Sequence, residues 1–575
     1  MTPQLSPDEA ATLVTAPERV AAPNRAADPD WWRTGVVYQI YPRSFADSTG
    51  DGLGDLPGII EHLDHVAAPG GLGVDAIWLS PIYPSPGLDG GYDVADHEAI
   101  DPLFGTMADF DRLVAEAHRR GIRVLLDLVL NHTSDRHPWF EASRASREGP
   151  HANWYIWRDP AGVDRNGRPR PPNNWVSFFG GSAWAWDSSR EQFYLHTFLP
   201  QQPDLNWREP FVQEAQFGMV RGWLRRGVDG FRLDVFNALL KSPTFASNPP
   251  GRRAALRPWD RQRHLNDKDQ PDLVPLLDEF RAIVDEAPGR MSVGELFAGD
   301  ARHAAALSRP RHLVFDFSLL EQPWSAAAFR RAITQREAAF GDEWPTVVLS
   351  NHDQSRHVSR FMRSLDRHDA ATHDRVAKAA ATLLLTLRGT PFLYYGEEIG
   401  LPDVHIRHEE IVDPPARRAS WRFPWWNRDQ CRAPMPWSNG PGAGFTTGRP
   451  WLPLPPDIGV RNVAAQAADP QSVLATYERL LAVRREMRPL AAGSLRLDPS
   501  GANPDVLAYV RELDGRRVLV AINFALRERA WAVLAGRWQV AFSTSTRPAG
   551  ETLAATVRLA PLEALIAIDE GGERA

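Results

Sequence analysis

Arg123-Val-Leu-Leu-Asp-Leu-Val-Leu130 and Asp229-Gly-Phe-Arg-Leu-Asp-Val235 are the stretches that decide the fold. Each is a short apolar run interrupted by an acid near its end. A strand with one wet face alternates apolar and polar residues, whereas a strand covered on both faces, as in a parallel sheet, reads as nearly continuous. Working outward, Val36–Tyr41 and Asp75–Ser80 come before them. Met291–Leu296, His312–Ser318, Thr346–Ser350 and Pro391–Tyr395 follow. Helical patterns lie between: in Met107–Arg120, Phe110, Leu113, Val114 and Ala117 share one face. Eight strand–helix units in succession predict an α/β fold, a (β/α)8 TIM barrel.

The barrel is interrupted and extended. Residues 31–131 and 207–489 form its expected body. Residues 132–206, rich in Trp, Pro and Gly, read as a loop-rich subdomain inserted after strand three. Residues 490–575 carry short apolar or alternating runs (Val506–Arg511, Arg517–Ile522, Trp531–Val533, Trp538–Ser543, Leu565–Ile568) split by turn signals such as Asp514-Gly515. They predict a C-terminal antiparallel β-sandwich. Residues 1–30 read as a mobile leader of Ala, Pro and charge.

Composition removes several function classes. The net charge of −7 comes without a basic tract, which argues against a nucleic-acid partner. No apolar run reaches the ~18–20 residues of a membrane span, and acids early in the chain spoil a secretory pattern, so a cytoplasmic location is expected. Cys431 is the only cysteine, so neither an internal disulfide nor a zinc site of several thiolates can form.

The polar residues at the strand ends carry the chemistry. Arg232 and Asp234 are two apart on strand four and share a face. Asp127, Asn131 and His132 close strand three, Glu295 strand five, His352 and Asp353 strand seven. Singly, each is a strand-end cap or ion pair; together, at one end of four strands, they exceed what stability needs. Paired Asp and Glu are the equipment of glycoside hydrolysis, one as nucleophile and one as acid. Arg232 is expected to hold Asp234 ionised. Glu295, with apolar neighbours, is expected to have the raised pKa of the acid.

Seven blocks in order carry a resemblance: Gly91-Tyr92-Asp93, Asp127-Leu-Val-Leu-Asn131-His132, Gln202-Pro-Asp204-Leu-Asn206, Gly230-Phe-Arg232-Leu-Asp234, Gly294-Glu295-Leu-Phe297, Ser350-Asn-His352-Asp353 and Arg428-Asp-Gln-Cys-Arg432-Ala-Pro-Met-Pro-Trp437. From about Trp32 onward the chain resembles the α-amylase superfamily, glycoside hydrolase family 13, and most nearly its oligo-1,6-glucosidase and α-glucosidase branch. The resemblance implies Asp234 as nucleophile of a retaining double displacement, Glu295 as acid/base and Asp353 as the third carboxylate. It implies a glucose subsite of Asp93, His132, Arg232, His352 and Arg432, with Tyr92 beneath the sugar ring. Phe179, Phe198 and Gln202 are implied as walls. Val235, directly after the nucleophile, is similar to isomaltase-type enzymes that cleave α-1,6 bonds; alternatively it fills the other face of strand four. The implied partner is a short oligosaccharide, with no organic cofactor.

Asp47-Ser-Thr49-Gly-Asp51-Gly-Leu53-Gly-Asp55 resembles a calcium loop of hard oxygen donors, with Asp47, Thr49, Asp51, Leu53 and Asp55 as ligands of a structural Ca2+. Thr49 stands where the branch commonly has Asn. The alternative is a turn with capping aspartates. For the whole chain, a hydrolase competes with a same-fold glucosyl transferase or isomerase, of trehalose synthase or sucrose isomerase type. A non-enzymatic relative would lack the carboxylates.

Overall fold

Each of the eight apolar runs forms a strand: β1 Val37–Ile40, β2 Ala76–Leu79, β3 Arg123–Leu128, β4 Gly230–Leu233, β5 Met291–Gly294, β6 Leu313–Val314, β7 Thr346–Val348 and β8 Thr390–Tyr394. The structure, a computed structural model, describes residues 28–309, 311–419, 427–499 and 503–573. The strands run parallel in the order β7-β8-β1-β2-β3-β4-β5-β6. The ring closes between β6 and β7 through a side chain. Thr346 Oγ1 donates to the Val314 carbonyl at 3.4 Å and accepts the Asp316 N–H at 3.0 Å.

A helix follows each strand: α1 Leu56–Glu61, α2 Met107–Arg119, α3 Pro210–Arg225, α4 Leu273–Val284, α5 Ala301–Ser308, α6 Ala326–Phe340, α7 Ala370–Thr386 and α8 Val473–Glu486. The period-two geometry of strands splits their side chains between two layers. Tyr38, Ile77, Leu126, Phe231 and Leu233 face the helices in the main core. Val37, Ala76, Trp78, Leu125, Met291, Val293 and Phe392 fill the barrel. Each buried aliphatic contributes about 1.5–3 kcal/mol. The next inward layer toward the strands' C-terminal ends is polar, with Gln39, Asp127 and Arg232 all 2% exposed or less. A polar layer in a barrel gives up that apolar stabilisation, which marks it as serving something other than the fold.

Between β3 and α3, residues 132–206 build a helix, Pro138–Ala145, and a small antiparallel sheet of Trp157–Arg158, Gln192–Leu195 and Trp184–Asp187. Its own core is Ile156, Trp175, Ala183, Trp184, Phe193 and Leu195. One buried ion pair pins it to the barrel. Lys241 Nζ, after β4, lies 2.8 Å from Asp204 Oδ2 and 2.8 Å from Asn131 Oδ1.

The C-terminal region holds antiparallel sheets. Five strands lie in the order Ser494–Leu497, Val506–Leu513, Arg516–Asn523, Ala564–Asp569, Trp538–Ser543; Arg529–Ala532 pairs with Thr556–Leu559. Trp531, Val557 and Leu559 from the pair pack with Leu519, Ala521 and Leu565 from the five. Residues 1–27 of the expected leader lie outside the described residues. Among the described residues no helix is long and apolar enough to cross a membrane.

Candidate active site

Barrel register brings the site together. Asp127 pairs with Arg232 across β3 and β4, and Arg232 with Val293 across β4 and β5. The ladder continues past the strands: the Asp234 N–H donates to the Leu128 carbonyl at 3.0 Å, and the Glu295 N–H to the Leu233 carbonyl at 2.8 Å. Two carboxyls 61 residues apart in sequence thus hang from adjacent rungs.

Arg232 is the hub. Its Nη1 donates to Asp127 Oδ1 at 2.7 Å and Asp234 Oδ1 at 2.8 Å, and its Nη2 to Glu295. Burial pushes both the Asp234 and Glu295 carboxyls up, and Arg232 opposes it for both. This differs from the expectation that Arg232 would keep Asp234 apart as the ionised partner. The guanidinium spans both groups, and Asp234 is the drier, with 9% of its side chain exposed against 16% for Glu295. The two titrate as a dyad. Asp353 is the opposite case. Burial alone would raise it, but His352, Arg428, Arg432 and Arg232 hold its carboxyl well below the usual range. Arg428 Nη1 and Arg432 Nη2 stand 3.2 and 3.1 Å from Asp353 Oδ1.

These groups open onto a cavity of about 740 Å3, within the span of ligand pockets. Asp234, Glu295, Asp353, Tyr92, His132, Val235, Phe179 and Phe198 line it. Arg232, His352, Gln202 and Arg432 stand behind this surface. Tyr92 has one face stacked on His352 at 5.4 Å, and its hydroxyl donates to Asp127 Oδ2 at 2.9 Å. Gln202 Nε2 reaches His132 Nε2 and Asp89 Oδ2, both at 3.1 Å. Burial lowers the His132 pKa.

Asp93 is a correction. Its carboxylate is fully buried and turned into its own loop, where it accepts the Ser85 hydroxyl and the backbone N–H groups of Leu88 and Asp89 at 2.9, 2.9 and 3.0 Å. Asp89 faces the cavity instead, its Oδ1 2.6 Å from Arg428 Nη2. The same shift applies at the other block, where Arg428 lines the cavity and Arg432 supports Asp353 from behind. Phe178, Phe297, Arg257 and Asn427 also line it and were not singled out in the sequence. Phe297 belongs to the Gly294–Phe297 block; the others carry no sequence signal.

Val235 does not fill the outer face of β4. Its backbone is left-handed, φ 34° and ψ 41°, and its side chain lines the cavity with Phe198 and Phe297, packed in a cluster that includes Trp259. Positive φ is an outlier for a β-branched residue and strains the turn directly after Asp234.

The 47–55 loop folds on its own hydrogen bonds. Asp47 accepts the N–H groups of Thr49, Gly50 and Gly52 at 2.9, 2.8 and 2.8 Å; Asp51 accepts that of Leu53 at 2.8 Å. Asp55 caps α1 through the Gly58 N–H at 2.7 Å. The loop's oxygens are the hard donors calcium takes, yet among the described residues no three His, Cys, Asp or Glu side chains converge as a metal cage. Cys431 is buried, its Sγ 3.1 Å from the Arg428 carbonyl, and burial pushes its thiol up to about 12, far from a reactive thiolate.

The description "Alpha amylase, catalytic domain" matches residues 39–493 of the chain. The chain belongs to the alpha-amylase family. Its relatives include a probable alpha-glucosidase of Rhizobium meliloti (strain 1021), 43% identical over 521 residues, which are 87% of this chain and 90% of the relative. An oligo-1,6-glucosidase of Parageobacillus thermoglucosidasius is 37% identical over 86% of this chain and 90% of its own. Among solved structures, an alpha-glucosyl transfer enzyme superposes with a TM-score of 0.86 at 42% identity, covering 94% of this chain and 99% of that one. As an alpha-amylase-family glycoside hydrolase, the protein presents its carboxylates at the C-terminal mouth of the barrel, where such folds place their chemistry.

Proposed function

We propose that the protein is a retaining, exo-acting α-glucosidase that removes terminal glucose from short oligosaccharides. The observation that carries this reading is the single guanidinium of Arg232 bonded to both Asp234 and Glu295 beneath one cavity. Carboxyls bridged by one side chain match the ~5–5.5 Å spacing of retaining enzymes better than the ~6.5–9.5 Å that inversion needs for a water. In this mechanism the dyad's one proton, which burial alone favours on the drier Asp234, sits on Glu295 when the sugar is bound and ready for attack. Asp234 attacks the anomeric carbon while Glu295 protonates the leaving glycosidic oxygen, giving a covalent glucosyl ester. Glu295, now a carboxylate, takes a proton from water, whose oxygen displaces Asp234 and restores the α anomer. Asp353, held ionised by its arginines, binds ring hydroxyls and favours the oxocarbenium-like transition state. Asp89 and Arg428, paired at 2.6 Å on the cavity lining, support action on chain ends only.

Val235 in the cavity wall supports α-1,6 cleavage. Likeness to an alpha-glucosyl transfer enzyme supports a second reading, in which a sugar hydroxyl replaces water as acceptor. A structural Ca2+ on the 47–55 loop belongs to the same proposal and rests on its oxygen chemistry. Proton NMR of the enzyme with equimolar isomaltose and maltose tests the reading. Release of α-glucose, faster from isomaltose, is expected. New disaccharide signals in place of glucose would move the assignment to transfer. Asp234→Asn is expected to abolish turnover; more than a trace of activity removes Asp234 as nucleophile.

A further inference from the structure

The imidazole of His352 lies at the centre of the polar layer with both ring nitrogens engaged. Nε2 is 2.6 Å from the Tyr92 hydroxyl and 3.2 Å from Asp353 Oδ2. Nδ1 is 2.8 Å from the side-chain amide nitrogen of Gln39, in the middle of β1, which also lies 3.3 Å from Ser80 Oγ. Gln39 is 1% exposed and does not reach the cavity.

The proton count on this ring follows from its neighbours. The Tyr92 hydroxyl spends its one hydrogen on Asp127 Oδ2, so its oxygen can only accept from His352 Nε2, which therefore carries hydrogen. Burial, opposed by Asp353 and helped by Arg432, Arg232 and Arg428, lowers the His352 pKa to about 3, leaving one proton on the ring. Nδ1 therefore presents a lone pair, and the Gln39 amide must donate to it. The remaining ring neighbours are Tyr41, stacked at 6.2 Å, and Trp78, edge-on at 6.0 Å; neither supplies a charge. With Nε2–H directed at Tyr92, the tyrosine hydroxyl has its own hydrogen free for Asp127 Oδ2. Asp127 also accepts Trp78 Nε1 at 3.2 Å and Arg232 Nη1.

We infer that Gln39 is a positioning residue: it selects the Nε2–H tautomer of His352 and so orients a one-way donor chain, Gln39 to His352 to Tyr92 to Asp127, behind the reacting carboxyls. The end of that chain matters because Asp127 anchors Arg232, and Arg232 spans Asp234 and Glu295. Reversing the first link would leave a lone pair on Nε2 facing Asp353, or add a second proton and a new charge behind the nucleophile. The kinetic consequence rests on the glucosidase reading; the tautomer does not.

The test begins with the unaltered enzyme. In 15N-histidine-labelled protein at pH 7, the His352 signal, identified by its loss in His352→Asn, is expected as the neutral Nε2–H tautomer. An Nδ1–H or imidazolium pattern overturns the proposal. Gln39→Glu offers Nδ1 an acceptor, so His352 is expected to become doubly protonated at pH 7 and the pH profile of kcat to gain an ionisation above the native one. Unchanged His352 shifts in that variant also overturn it. Gln39→Met, which keeps the volume without the donor, is expected to lower kcat roughly tenfold with KM nearly constant, the scale of one lost hydrogen bond. If the enzyme turns over no α-glucoside while the nitrogen shifts are as expected, the glucosidase reading fails and the assignment of Gln39 stands.

Discussion

Replacing Lys241 by Met should cost far more stability than a surface charge would. Both members of the Lys241–Asp204 pair are 1% exposed or less. Lys241 also donates to Asn131 Oδ1 at 2.8 Å and to the Ala238 carbonyl. In the variant Asp204 keeps the Thr197 N–H at 2.8 Å and the Thr197 hydroxyl at 2.6 Å but loses its counter-charge. Lys241 is also the first of the charges that hold its carboxyl below the usual range against burial. Breaking one side of a buried pair costs about 3–5 kcal/mol. At roughly 2 cal/mol/K of unfolding entropy per residue, a barrel of several hundred residues converts that into a Tm drop of about 3–5 °C by calorimetry. Because Asp204 bridges His132 across the seam, KM should rise as well. Adding Asp204→Asn removes the stranded charge, so the double variant should recover most of the loss. A single variant costing under ~1 kcal/mol, or a double variant with strictly additive losses, would refute the reasoning.

Asp89→Asn should lower kcat/KM on the order of 10–100-fold, the worth of a charge-assisted hydrogen bond, with little change in Tm. Asp93→Asn should do the reverse, lowering Tm while the protein that stays folded retains near-native kcat/KM. Steady-state kinetics beside calorimetry separates them. Burial lowers His97 to about 4, and His137, His312 and His352 to about 3. Unfolding raises each toward 6.5, so the unfolded chain binds more protons and stability falls as pH drops from 6.5 toward 4. The slope is about 1.4 kcal/mol per histidine per pH unit, read as a falling Tm. If the 47–55 loop holds Ca2+, elemental analysis should find one equivalent and a chelator should lower Tm; a metal-free enzyme of unchanged Tm would end that proposal.

The barrel was legible because strands buried on both faces cannot hide their composition. Even β6, only two residues long, lay within a readable run, His312–Ser318. The carboxylates were legible because they close those strands. Side-chain direction in loops was not. Asp89-Gly-Gly-Tyr92-Asp93 turns through Gly90 and Gly91, both at positive φ, and spacing alone does not say which of two aspartates faces outward. Arg428 and Arg432 differ the same way, a single helical turn deciding which one faces the cavity. The strands Ser494–Leu497 and Thr556–Leu559 escaped notice because they lie at sheet edges with alternate residues exposed or partly so. Gln39 was hidden inside an apolar run, since its importance lies in a partner on β7's loop.

The left-handed backbone at Val235 has a bearing on how this enzyme can change. Holding a valine there costs on the order of 1–3 kcal/mol of strain, while burying its side chain, 5% exposed, returns about as much. Exchange to Gly would relieve the strain but strip the cavity wall beside Asp234. One side chain thus sets both the strained turn and the cavity wall, and neither can be altered without the other.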